Sequence, residues 1–135
     1  MILVDTNVLI DVTTVDPTWF EWSRRELNAA AARDELSINV VVYAELSIRY
    51  DSIDQVDRVI ENLGVILEPI PPAALFSAGK AFQRYRAAGG VRTGVLPDFF
   101  VGAHAEVIGA QLLTRDTRRY RTYFPEVRLI APIPH

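Results

Sequence analysis

The chain has 135 residues, half of them hydrophobic, and contains no cysteine; this suits one domain with a real core over 1–135 and excludes disulfides, thiolate metal sites and extensive disorder. The net charge of −3 argues, taken whole, against a nucleic-acid partner, but residues 1–67 sum to −7 and residues 68–135 to +4. With no basic leader and no uncharged run of the ~20 residues a membrane helix needs, neither a secretory signal nor a membrane partner is expected, and a reducing, cytoplasmic location is.

In chain order, "ILV" (2–4) reads as a buried strand, and a helix begins at Thr6 and runs to about Val12. Asp16-Pro17 is a helix start, with Asp as cap and Pro in the first turn, and predicts a helix over 17–33. "LSINV" (36–40) is a strand candidate and 41–50 a helix; 51–63 is an amphipathic helix with Ile53, Val56, Val59, Ile60 and Leu63 on one side, closed by Gly64. "VILEPI" (65–70) is the next strand. Pro71-Pro72 opens a long helix to about Ala88, glycines 89, 90 and 94 make a loose connection, and Pro97 starts a helix to about Gly109. "AQLLT" (110–114) and "VRLIAP" (127–132) are the last strands, with a short helix beginning at Asp116 between them. Strands alternating with helices point to an α/β fold whose parallel sheet is covered on both faces.

Four carboxylates sit in the most apolar parts of this pattern: Asp5 after the first strand, Glu45 inside "INVVVYAELSI", Asp98 in the first turn of "LPDFFVGAHA", and Asp116 after "LLT". Taken singly, Asp5 and Asp116 read as ordinary helix caps and Asp98 as an anion favoured by a helix dipole; Arg49, four residues on, is the local partner available to Glu45. Taken together they need a common explanation. Two such charges ~5 Å apart repel by roughly 3 kcal/mol at an effective dielectric of 20, against a total stability of about 5–15 kcal/mol. A divalent cation removes the conflict. Hard oxygen ligands favour Mg²⁺ or Mn²⁺, and a chain whose only histidines are His104 and His135 is poorly equipped for zinc. Such an ion suits phosphodiester hydrolysis, with Thr6, Asn7 and Thr114 as groups that orient carboxylates or waters.

On "ILVDTNVLID", "VVYAEL", "LPDFFVGAHA" and "LLTRDTRRYRTYFPEVRLIAP", in this order and over nearly its whole length, the chain resembles the PIN-domain ribonucleases, most closely the VapC-type toxins of toxin–antitoxin pairs. The resemblance implies a PIN-like three-layer α/β/α architecture with a central parallel sheet of four or five strands, the first and fourth adjacent. It implies that Asp5, Glu45, Asp98 and Asp116 are the catalytic acids, with Asp5, Asp98 and Asp116 as metal ligands and Asn7 and Thr114 in support. It further implies Mg²⁺- or Mn²⁺-dependent cleavage of RNA, a homodimer, and inhibition by a small VapB-like antitoxin lying in a hydrophobic groove.

Arg115, Arg118, Arg119 and Arg121 surround Asp116 and read equally as phosphate contacts beside the metal or as a solvated helix face; Arg115, adjacent to the acid, is the first candidate for phosphate. Trp19, Phe20 and Trp22, and likewise Phe82 and Tyr85, are candidates for the antitoxin groove and the dimer surface, against plain packing beneath neighbouring segments. His104 reads as a packed core residue. A phosphotransferase with a nucleophilic Asp5 normally needs a second acid two residues on, where Asn7 stands. A solitary RNA-processing nuclease and a non-catalytic RNA- or protein-binding module remain the alternatives.

Overall fold

The computed structural model describes residues 1–92 and 94–133; Thr93, in the glycine-rich connection, Pro134 and His135 lie outside the described residues. Five short strands form one parallel sheet: β1 (Ile2–Val4), β2 (Leu36–Asn39), β3 (Val65–Glu68), β4 (Gln111–Leu113) and β5 (Leu129–Ile130). The helices between them are α1 (Thr6–Thr13), α2 (Phe20–Arg33), α3 (Val40–Ser47), α4 (Ile53–Leu63), α5 (Pro72–Ala87), α6 (Leu96–Ile108) and α7 (Arg118–Tyr123).

The sheet order is β3-β2-β1-β4-β5. The chain steps outward from β1 to β2 to β3, returns to the other side of β1 at β4, and continues to β5. Right-handed crossovers then place α1–α4 on one face and α5–α7 on the other. β1, central and covered on both faces, is buried at every position, as its unbroken apolar run requires. The order reverses between β1 and β2 on one side and β4 on the other, which opens a crevice at the carboxyl ends of these strands, where ligands of open α/β sheets bind. Register carries this through: Val4 lies against Leu113, and the Asp5 amide donates to the Leu113 carbonyl at 2.9 Å.

Most boundaries follow local chemistry. Asn39 caps α3 by accepting from the amides of Val41 and Val42, both at 3.0 Å, and Ser52 caps α4. Gly64 and Gly109 end α4 and α6 with φ of 70° and 69°, a region costly to residues with a Cβ. Gly102 serves a close approach: a Cβ there would stand 2.4 Å from the ring of Phe124, so the missing side chain is what lets α6 and the end of α7 pack.

Several boundaries differ from the sequence reading: α3 spans Val40–Ser47 where 41–50 was expected, and α4 begins at Ile53 after its Ser52 cap. The second helix starts at Phe20, not Pro17, because Asp16 turns its carboxylate on the amides of Thr18 and Trp19 (3.0 and 2.7 Å) and closes a turn rather than capping a helix. Asp116 precedes α7 by two residues and Thr117 stands at the cap position. The strands are also shorter than their apolar runs, as at 65–70, where β3 ends at Glu68 before the prolines. Both aromatic groups are half-buried, and Trp19 and Trp22 line a surface cleft of about 350 Å³ with Arg25, Glu26, Ala131, Pro132 and Ile133. Phe82 and Tyr85 join Phe99 and Tyr123, with ring centroids 5.2–6.2 Å apart, and Trp19 lies edge-on to Trp22 beneath the guanidinium of Arg115. No helix among the described residues is long and apolar enough to cross a membrane.

Candidate active site

Four elements deliver the acids to the crevice. Asp5 terminates β1 and caps α1, Glu45 lies in α3 directly beyond β2, Asp98 occupies the first turn of α6, and Asp116 follows β4.

Asp5 is the innermost, with only 5 % of its surface exposed. Its Oδ1 accepts the Thr6 amide at 2.8 Å. Its Oδ2 accepts the Tyr120 hydroxyl at 2.7 Å, the Thr114 hydroxyl at 2.9 Å and, more weakly, the Asn7 amide nitrogen at 3.5 Å. Burial pushes its carboxyl above the ordinary range, and the hydroxyls of Tyr120 and Thr114 and the Thr6 amide pull it back. Thr114 is itself buried, and its oxygen also receives the Asn7 side-chain amide (3.3 Å) and the Asp116 backbone amide (3.1 Å). Asn7 Oδ1 accepts the Arg115 backbone amide at 3.3 Å. Asn7 and Thr114 thus tie the loop after β4 to the loop after β1.

Glu45 is half-buried and held by the Thr6 hydroxyl, 2.7 Å from Oε1. Burial and the charge of Asp5 raise its carboxyl. Arg49, its local partner by spacing, makes no ion pair with it: α3 ends at Ser47, and the salt bridges among the described residues leave Arg49 out.

Asp98 carries the sharpest electrostatic signal. Its helix-start position favours the anion, yet its carboxyl is pushed up to about 7, chiefly by burial and then by Asp5, with Asp116 and Glu45 adding to it; Arg119 opposes them. The Arg119 guanidinium sits 3.2 Å from Asp98 Oδ2. Asp98 therefore feels the charge of the other three acids, and Arg119 is the one arginine paired with any of the four among the described residues. The donors are all oxygen, of the hard kind that suits Mg²⁺ or Mn²⁺. Among the described residues, however, no three of His, Asp and Glu are gathered closely enough to surround an ion as they stand.

A measurable consequence follows from Asp98. An acid whose folded pKa lies above its unfolded value stabilises the fold most below the unfolded value, near 3.8, and loses that contribution as pH rises through about 7. In chelator, the melting temperature should fall from pH 6 to pH 8. Asp98→Asn should remove part of this fall and stabilise the pH 8 protein by about 1–2 kcal/mol, an allowance that includes solvent screening of a side chain one-third exposed. A variant with the same pH dependence as wild type would show that Asp98 is not under this strain.

The arginines divide. Arg115 does not face the acid cluster's solvent side with a free guanidinium: its Nε and Nη2 grip Asp11 at 2.8 and 3.1 Å. It became the first phosphate candidate because it neighbours Asp116 in sequence, but a buried carboxylate 104 residues away claims it. Arg119 is occupied by Asp98, while Arg118 and Arg121 are exposed on α7. Tyr120, missed in the sequence, is buried at 2 % exposure, and its phenol is held well above its ordinary value by burial and the surrounding acids. In "RRYRTY" it looked like any core aromatic. His104 is buried as expected, with its ring pushed toward the neutral form by burial.

The PIN domain family model matches residues 2–125. No curated protein matches the chain in sequence. Among solved structures, the chain is similar to VapBC2 from Rickettsia felis bound to a promoter DNA fragment, with a TM-score of 0.73 at 18 % identity over 97 % of this chain and 98 % of that one. It is similar to a toxin–antitoxin complex from Klebsiella pneumoniae, with a TM-score of 0.70 at 20 % identity over 100 % and 98 %. It is also similar to VapBC-1 from nontypeable Haemophilus influenzae, with a TM-score of 0.70 at 22 % identity over 97 % and 98 %. At these identities the likeness is one of fold.

Proposed function

This chain belongs to the PIN-domain family, and on that premise we propose that it is a metal-dependent endoribonuclease acting in the cytoplasm, the toxin of a VapBC-type pair, held in check by a small VapB-like antitoxin and working as a homodimer. What supports the reading is that four carboxylates from four elements stand toward the switch-point end of the sheet, where burial first and then the charge of Asp5 push the Asp98 carboxyl up to about 7. Buried and mutually repelling carboxylates of this kind are relieved by a cation. The toxin assignment draws its support from structural neighbours that are described as VapBC and toxin–antitoxin complexes.

Asp5, Asp98 and Asp116 would hold Mg²⁺ or Mn²⁺ with Glu45 beside them, and the ion would supply Lewis-acid activation of water and charge stabilisation at the phosphoryl oxygens. The rest is the work of this chain. Tyr120 and Thr114 fix Asp5 in one rotamer, and Thr6 fixes Glu45. Asp98 must exchange Arg119 for the cation, which frees that guanidinium to meet a phosphate. Asp98, titrating about 7 without metal, also competes with protons for the ion, so affinity should rise between pH 6 and 8.

The direct test is cleavage of a labelled single-stranded RNA by the purified chain. Cleavage in Mg²⁺ or Mn²⁺ that EDTA stops and added metal restores is the expected result; equal cleavage in EDTA would sink the mechanism. The alternative of a binding-only module predicts RNA retention with no cleavage under any metal.

A further inference from the structure

We propose that the RNA lies across the acid cluster in two clefts, one on each side of the bond to be cut, with Arg49 and Arg92 holding its phosphates. The proposal rests on the ribonuclease reading above and specifies how that substrate is held.

Two clefts border the acids. One, of about 500 Å³, is lined by Thr6, Ile10, Glu45, Ile48 and Arg49. The other, of about 600 Å³, is lined by Val91, Arg92, Gly94, Val95, Asp98 and Arg119. Each contains one of the clustered acids, Glu45 in the first and Asp98 in the second, and each reaches Asp5: Thr6, in the first, donates its amide to Asp5 Oδ1 and its hydroxyl to Glu45, while Arg119, in the second, precedes Tyr120, whose hydroxyl donates to Asp5 Oδ2. Each also contains an aliphatic–arginine pair in adjacent positions: Ile48-Arg49 and Val91-Arg92. Ile48 and Val91 are 84 % and 82 % exposed. A lone exposed aliphatic is ordinary. The same pair in both flanking clefts is a pattern, and nothing in the packing of α3 or α6 calls for it.

The chemistry of the pair fits a nucleotide. A guanidinium takes a phosphate through its fork, and an exposed branched aliphatic offers a base face an apolar contact that reads none of its edges. Both arginines stand outside the salt bridges among the described residues, whereas Arg115 and Arg119 are already paired. A polyanion is repelled by the acids themselves, so flanking cations are needed to bring it there. With a subsite on either side, the bond presented to the acids is internal to the strand, which makes the cut endonucleolytic.

Binding of a labelled single-stranded RNA to protein carrying Asp5→Asn, which holds substrate without cutting it, gives the test. Arg49→Gln and Arg92→Gln should each weaken binding and lower the slope of log K against log salt by about 0.7, the loss of one phosphate contact. In otherwise wild-type protein each should raise KM several-fold with kcat little changed. Arg58→Gln, the same charge change at an exposed position of α4, should do neither. RNA that is bound and cut with unaltered slope and KM in both variants overturns the proposal and leaves the nuclease reading standing. So does loss of antitoxin binding with RNA binding intact, which assigns the clefts to a protein partner. A wild-type chain that neither binds nor cuts RNA overturns both.

Discussion

Asp5→Asn is expected to lower RNA cleavage by about 10³-fold or more, equivalent to roughly 4 kcal/mol of transition-state stabilisation, while leaving the fold intact. The position is nearly sealed, with 5 % exposure, and its carboxylate is surrounded by hydroxyl and amide donors. Asparagine fills the same volume and keeps an oxygen for the Thr6 amide, and the hydroxyls of Thr114 and Tyr120 can rotate to accept from its NH₂ group. What disappears is the negative charge. Because burial already opposes that charge, the variant in chelator should melt at or above the wild-type temperature. Loss of cleavage together with loss of fold would assign Asp5 to structure; full cleavage by a folded variant would remove it from the site. Tyr120→Phe provides the graded comparison: it deletes one donor to Oδ2 and keeps the charge, so about 10–100-fold is expected, the range for a residue that supports a ligand.

Arg115→Met is expected to destabilise the protein by about 3–5 kcal/mol, the cost of stranding a buried charge. Asp11 is 1 % exposed. Its partners are the two guanidinium nitrogens of Arg115 and the Ser23 hydroxyl at 2.7 Å, and the guanidinium in turn lies over the Trp19 ring, 5.4 Å from its centroid. Removing the arginine leaves the carboxylate one hydroxyl in an apolar surround. Adding Asp11→Asn to Arg115→Met should recover much of the loss, because the stranded charge goes with it. Denaturant midpoints of the three variants decide the matter. If Arg115→Met unfolds like wild type and instead weakens RNA binding, the phosphate role its neighbour Asp116 suggested is the correct one.

These two residues also mark what the sequence could and could not reveal. The four candidate acids stand out in the sequence because each interrupts an apolar stretch at a strand–helix junction or inside an apolar helix, where an unpaired carboxylate is expensive. The parallel sheet was legible from the alternation of runs, and the neighbourhood of β1 and β4 from the family resemblance. Asp11 was invisible as a core ion because its partner lies 104 residues on and helical spacing offers none nearby. Tyr120 was invisible for the opposite reason: an aromatic in a short helix is the ordinary material of a core, and only the fold aims its hydroxyl at Asp5. Asp16 shows the limit of local rules. The Asp-Pro start signal was real, but the carboxylate closed a turn one step earlier than a helix, and α2 waited for Phe20.

The hydroxyls that hold Asp5 come from positions 109 and 115 residues further along the chain. Closing a loop of that length costs entropy that local contacts cannot return, so the carboxylate and its clamp meet only when the whole sheet has formed. A polypeptide that stops short of Tyr120 has the first acid and lacks the means to orient it. A chain truncated before Thr114 carries the Asp5 charge without either of the hydroxyls that aim it.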